Sequence, residues 1–371
     1  VNPAALDLVA GARPNFMKLA PVHRALSAYE QLIPRIVHTG QHYDASMNDV
    51  FFAELEIPEP AVHLEVGSGS HGVQTARILE RYEKHLLEAR PAATVVFGDV
   101  NSTVACALAA VKLGVPVVHV EAGLRSFDRT MPEEINRILT DAISDLLLVS
   151  EPSGLENLKH EGIPDSKVRL VGNVMIDTLV RELERADDSV LERLGVKPGE
   201  YGLVTMHRPS NVDDPAVLER MLALFAELGK RLPLVFPVHP RTRDAAERAG
   251  LQRLLFNEAC FRAVEPLSYR ENLALMCQAR VVLTDSGGMQ EETTHLRVPC
   301  LTLRENTERP VTTQHGTSKL VGNDPQLIRA AFNDAINHDW SRGTEIPLWD
   351  GHAGERAATQ IARQLLAGAW V

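Results

Sequence analysis

Residues 281–296 read VVLTDSGGMQEETTHL. The run Val281–Thr284 reads as a strand, Ser286-Gly287-Gly288 as a tight turn, and Met289–Leu296 as the helix that follows. The same unit recurs in both directions. Within the second half, strands are expected at Tyr201–Met206, Leu234–Pro237, Phe261–Val264 and Cys300–Leu303. In the first half they are expected at Leu6–Gly11, Arg35–Thr39, Val62–Val66, Thr94–Phe97, Pro116–Val120, Leu146–Val149 and Val168–Val171, with helices between. Strands alternating with longer helical segments form parallel sheets covered by helices. The continuous apolar run Leu146-Leu147-Leu148-Val149 suits a strand buried on both faces. The charged stretch 181–188 and the turn-rich Lys197-Pro198-Gly199-Glu200 mark a change of character. The expectation is an α/β protein of two similar domains, residues 1–172 and 173–371, with a cleft between them. The amphipathic last helix, around Arg356–Leu366, is expected to pack back on the first domain.

The 371 residues fit two to three domains at ~150 residues each. With 44% hydrophobic and 23% charged residues, the chain has the composition of a globular protein. The formal net charge of −11 argues against a nucleic-acid surface. No apolar stretch reaches the ~18 residues of a membrane span, and no basic segment precedes an apolar one at the N-terminus. A cytoplasmic enzyme is expected. The four cysteines, Cys106, Cys260, Cys277 and Cys300, form no CxxC pair and read as buried apolar residues. No His, Asp and Cys set has metal-ligand spacing, so no metal site is expected.

Several strand ends carry chemistry. Ser286, Gly287 and Gly288 place a hydroxyl and free N–H groups at a helix N-terminus, which is a diphosphate site, and Glu292 lies one turn in, within reach of a ribose hydroxyl. Arg13 and Lys18 flank the first strand-to-helix turn, a second place for an anion. Asp99 and Glu121 end neighbouring strands. Glu133 opens a helix after Pro132, where a carboxylate also complements the dipole, and Glu134 pairs with Arg137 at i,i+3. His207 follows the strand Tyr201–Thr205, and His239 is similarly placed with less support. The segment Gly67-Ser68-Gly69-Ser70-His71-Gly72 matches G-x-G-x-x-G after a strand. Its place in the third βα unit argues against a nicotinamide site.

Taken in order, these blocks resemble the non-hydrolysing UDP-N-acetylglucosamine 2-epimerases. The resemblance rests on Gly11-Ala12-Arg13-Pro14, Thr39-Gly40-Gln41-His42, Gly98-Asp99, His119 to Arg125, Pro132 to Arg137, Val171-Gly172-Asn173, His207-Arg208, Thr284 to Glu292, and Thr307-Glu308-Arg309-Pro310. It implies two Rossmann-like domains in the GT-B arrangement, the second binding UDP. It also implies reversible conversion of UDP-GlcNAc to UDP-ManNAc by elimination of UDP to 2-acetamidoglucal and re-addition, with no cofactor. Two opposed acid/base groups and a retained leaving group are then required. Carried over, Asp99, Glu121 and Glu133 are the acid/base candidates. His207 joins that set and, with Arg13, Lys18 and Arg309, would hold the diphosphate. Ser286, Gly287 and Gly288 would bind phosphate, and Glu292 the ribose. A homodimer serving polysaccharide biosynthesis is likewise implied. Allosterically activated members carry a glutamine and an arginine where this chain has Asp44 and Val73, and their loop between the counterparts of Glu121 and Glu133 is longer. These departures argue against activation by a second substrate molecule. The competing readings are a GT-B glycosyltransferase, a hydrolysing epimerase, or a catalytically silent nucleotide-sugar sensor. A sensor has no need for Asp99, Glu121 and Glu133 together.

Overall fold

The computed structural model describes residues 3–41, 52, 54–256, 261–368 and 370. His42, Asp44, Cys260 and the side chain of Arg13 lie outside what is described. The chain divides into two compact units, Val1–Thr178 with Pro347–Val371, and Leu179–Ile346.

The first unit is built on seven parallel strands: β1 Ala4–Ala10, β2 Leu32–His38, β3 Val62–His63, β4 Ala93–Phe97, β5 Val117–Ala122, β6 Leu146–Val149 and β7 Val168–Leu170. Their spatial order is β3-β2-β1-β4-β5-β6-β7, with parallel register throughout. The direction of winding reverses between β1 and β4, so the strand ends there open toward a common crevice. Every residue of β4 and of β6 is buried, as expected for a sheet covered on both faces. Helix His71–Ala89 shows how one cover is made: Gln74, Ile78, Tyr82 and Leu86 recur every four residues and are its buried face.

The second unit repeats the plan with β8 Gly202–Thr205, β9 Leu234–Pro237, β10 Phe261–Val264, β11 Val281–Thr284, β12 Cys300–Thr302 and β13 Ser318–Leu320. The order is β10-β9-β8-β11-β12-β13, and winding reverses between β8 and β11. Phe225, Phe236 and Phe261 interlock at its core with ring centroids 5.7–6.4 Å apart. Among the described residues, no helix is long and apolar enough to cross a membrane.

Strands β6, β9, β10 and β11 start and stop where the sequence reading put them. Strand β13 escaped that reading because Ser318-Lys319-Leu320 is three residues long and not an apolar run. The division between units falls after Thr178 rather than after 172. It lies inside helix Val174–Leu183, whose Thr178 hydroxyl donates to the Met17 carbonyl at 2.6 Å. The last helix, Ala353–Ala367, clusters with the first unit. Asp177 accepts its Ala353 and Gly354 N–H groups at 3.0 and 2.6 Å. A Cβ at Gly354 would stand 2.9 Å from the Pro21 backbone, so only glycine lets this helix lie so close to Arg13–Leu26. The Gly-rich segment before helix His71–Ala89 follows β3, an edge strand. It does not follow β1 or β4, the strands between which the winding reverses and at whose ends a dinucleotide fingerprint operates.

Candidate active site

In the first unit, the carboxylates expected at strand ends belong to two paired strands, Asp99 following β4 and Glu121 lying in β5. Glu121 lies in the bulge of β5, where the register with β6 shifts between Val120 and Ala122, and its φ of 71° is left-handed. Strain at a non-glycine residue in this region persists only where surroundings hold it. Lys18, on helix Arg13–Leu26, donates to Glu121 Oε1 at 2.6 Å, with both side chains buried. Gly98, at the end of β4, makes room for that lysine. A Cβ there would stand 2.8 Å from Nζ, and its φ of 64° also favours glycine. Asn15 fixes the entry to the same helix by accepting the Gly11 and Ala12 N–H groups and donating to the Phe97 carbonyl at 2.8 Å.

Asp99 follows directly. Its carboxylate accepts from the Arg137 guanidinium, and its carbonyl accepts from Asn136 Nδ2 at 2.9 Å. Arg137 is buried and also binds Glu134 at 2.7 Å. Glu134 in turn accepts the Ser126 and Phe127 N–H groups, both at 2.9 Å. Burial alone would raise the Glu134 pKa, but the Ser126 N–H and Arg137 outweigh it and hold it below its ordinary value. Glu134 is thus fully engaged in building the loop. Glu133 is half-buried in the first turn of helix Pro132–Ile143.

In the second unit, β11 runs through Asp285 into Ser286, the cap of helix Gly287–Leu296. The first turn of that helix holds no acidic residue of its own, and the Ser286 side chain makes no capping hydrogen bond. A helix N-terminus of this kind favours an anion. Asp285, fully buried, accepts the Arg208 N–H at 2.8 Å, the His207 N–H at 2.9 Å and Asn211 Nδ2 at 3.0 Å. It also faces His207 Nδ1 at 3.1 Å. Burial opposes its charge, yet the His207 contact and these N–H groups hold its pKa below the ordinary value. That carboxylate locks the ends of β8 and β11 together across the strand reversal. His207 is partly exposed and its ring lies 5.1 Å from that of His239.

Arg309 is buried, and it is not a bare cation. Glu291 lies 2.7 Å from its Nε, and Glu308 binds its other edge. Glu308 is also held by Arg304 at 2.7 Å. Although burial works against ionisation, Arg309 and Arg304 keep the Glu308 carboxyl well below the ordinary range. Gly287 accommodates this cluster, because a Cβ would meet Arg309 Nη1 at 2.7 Å. Glu292 is buried and accepts the Tyr269 hydroxyl at 2.8 Å. Burial, with neighbouring Glu291, pushes its pKa up to about 7 despite that hydrogen bond.

Asp99 and Glu121 therefore share one strand reversal with Lys18, while His207, Ser286, Gly287, Gly288, Glu292 and Arg309 gather at the other. Sequence reading passed over Asp141, Asp285, Glu308 and the partner role of Arg137. Asp141, Asp285 and Arg137 act by reaching residues far along the chain, a relation with no local spacing to reveal it, whereas Glu308 pairs with its near neighbours Arg304 and Arg309.

Two parallel sheets of Rossmann type, each with its polar side chains at the strand reversal, define an α/β protein of the GT-B class. The chain belongs to the UDP-N-acetylglucosamine 2-epimerase family of enzymes, whose model matches residues 24–362. It is 40% identical over 358 residues to a UDP-N-acetylglucosamine 2-epimerase of Methanococcus maripaludis, covering 94% of this chain and 96% of that one. It is 41% identical over 360 residues to a UDP-2,3-diacetamido-2,3-dideoxy-D-glucuronate 2-epimerase of Pseudomonas aeruginosa, covering 96% and 98%. The crystal structure of the Methanocaldococcus jannaschii UDP-GlcNAc 2-epimerase, in complex with UDP-GlcNAc and UDP, superposes with a TM-score of 0.90 at 39% identity, covering 97% of this chain and 99% of that one.

Proposed function

We propose that the chain interconverts UDP-GlcNAc and UDP-ManNAc by inverting C2 of the hexose. The observation that supports this most strongly is the pair Asp99 and Glu121, at the ends of adjacent strands and each against a buried cation. The C2 proton of the sugar is not acidic by itself. As the C1–O bond breaks and its electron pair leaves with UDP, C1 gains oxocarbenium character and the proton can be removed, giving 2-acetamidoglucal. Return of a proton to the opposite face of C2, with attack of the UDP oxygen on C1, completes the inversion. Asp99, Glu121 and Glu133 are the groups proposed to move those protons.

A leaving group that must return has to be held. That role falls to Ser286, Gly287 and Gly288 with their helix N-terminus, and to Arg13, Lys18, His207 and Arg309 as donors and cations. Glu292 is assigned to the ribose. In the same reading the enzyme works in the cytoplasm as a homodimer, without activation by a second substrate molecule, and its product feeds polysaccharide biosynthesis.

Incubation of the purified chain with UDP-GlcNAc, followed by NMR of the hexose, tests the proposal. Conversion to UDP-ManNAc with UDP still attached is expected. Release of free ManNAc would indicate a hydrolysing epimerase instead. The relative from Pseudomonas aeruginosa is named for a different sugar at similar identity. Exclusive turnover of its diacetamido-uronate would therefore move the assignment to that substrate.

A further inference from the structure

We infer that Asp141 and His119 form a buried positioning pair that sets where Asp99 and Glu121 stand, with His119 held as a cation. This deepens the functional reading above and rests on it for the roles of the two carboxylates.

His119, in β5, is fully buried. Its Nε2 lies 2.8 Å from the Gly98 carbonyl oxygen, and its Nδ1 lies 2.6 Å from Asp141 Oδ1. A carbonyl only accepts, so Nε2 carries a proton and donates it. Asp141 Oδ2 accepts the Gly123 N–H at 3.0 Å and faces Arg125 Nη1 at 2.8 Å. Two donors on that oxygen favour the carboxylate over the acid. Burial works in the other direction, but His119 and Arg125 hold the Asp141 pKa below its ordinary value. With an anion on one side and a carbonyl on the other, both ring nitrogens of His119 must donate. The ring is then an imidazolium. Glu161 closes the row by binding Arg125 at 2.8 and 2.6 Å. Charges alternate along His119, Asp141, Arg125 and Glu161, which compensates the cost of burying them.

The consequence is mechanical. Through His119, Asp141 pins the carbonyl of Gly98, the residue just before Asp99. Through the Gly123 N–H it pins the turn that leaves Glu121. Both turns use left-handed backbone, at Gly98, Glu121 and Gly123, so neither is held by local preference alone. One carboxylate on helix Pro132–Ile143 thus ties two strand ends into a fixed spacing. Neither Asp141 nor His119 is placed against substrate, so both are positioning residues.

The test combines NMR of 15N-histidine-labelled protein with kinetics of Asp141→Asn and His119→Gln. In the wild type at neutral pH, the ring signals lost in His119→Gln are expected to show both nitrogens protonated. In Asp141→Asn one nitrogen should lose its proton. Turnover in Asp141→Asn should fall by roughly a hundredfold, as misplacement by ~1 Å can do, with affinity for UDP unchanged. A bare ring nitrogen in the wild type would overturn the inference even if the variants do not fold, as would full turnover in folded Asp141→Asn. Wild-type turnover of UDP-GlcNAc tests the functional reading separately, so the two failures are distinguishable.

Discussion

Lys18 and Glu121 lie 103 positions apart in sequence and 2.6 Å apart in space, both buried. Removing one partner of such a pair leaves the other charge unpaired and typically costs ~3–5 kcal/mol. Lys18→Met is therefore expected to lower unfolding free energy by about that amount, as read by urea denaturation; an unchanged midpoint would contradict the pairing. The same pair bears on chemistry, and Glu121→Gln, which strands the Lys18 charge, should carry a stability cost of the same kind. Asp99→Asn and Glu121→Gln should each abolish epimerisation while isothermal titration still shows UDP binding at wild-type affinity, and normal turnover in either would remove that residue from the mechanism. At this scale the sequence revealed types and positions but not partners. Asp99 and Glu121 were legible because they end strands, and the Glu134–Arg137 pair because i,i+3 residues share a helix face. Arg137's grip on Asp99 was not, because 38 residues separate them.

Helix Gly287–Leu296 illustrates what an element carries as a unit. Its N-terminal Gly287 packs against Arg309 and Glu308, while one turn in it buries Glu292 against Tyr269. Because burial raises the Glu292 pKa from 4.5 to about 7, the folded chain holds a proton there that the unfolded chain has already released. Below pH 4.5 both states bind it. Between 4.5 and about 7 only the folded state does, so this group's contribution to stability falls as pH rises through that window. Glu292→Gln should flatten the decline by roughly 1–3 kcal/mol, measured as denaturation midpoints at pH 5 and pH 8. An identical pH slope in wild type and variant would contradict this assignment. The helix itself was legible from Ser-Gly-Gly after an apolar run. Arg304, Glu308 and Arg309 pair among themselves within one short loop, but the reach of Arg309 to Glu291 on this helix was not legible, because it depends on how β12 returns beside β11. Strands of four or more apolar residues announced themselves, whereas β13 depends on its pairing with β12 and not on its own composition.

For the molecule as a whole, the alternation of strands and helices foretold two parallel sheets, and the strand orders place the polar side chains where each winding reverses. The chain's last segment clusters with the first unit, an expectation that rested on the amphipathic pattern of Arg356–Leu366 and not on the alternation. Gly354 against Pro21 lets that helix lie close. Self-association is a property of the same scale. Ile135 and Leu139 lie one turn apart on helix Pro132–Ile143 and are 46% and 50% exposed, which favours the proposed homodimer. Sedimentation velocity should show a dimer, and a monomer at all concentrations would exclude it. The most direct measurement of the proposed chemistry is epimerisation in deuterated water. If a side-chain acid returns a solvent-derived proton to C2, NMR of the UDP-ManNAc formed will show deuterium at C2 with the diphosphate still attached. Product that forms at normal rate with its original C2 hydrogen would contradict removal and return of that proton.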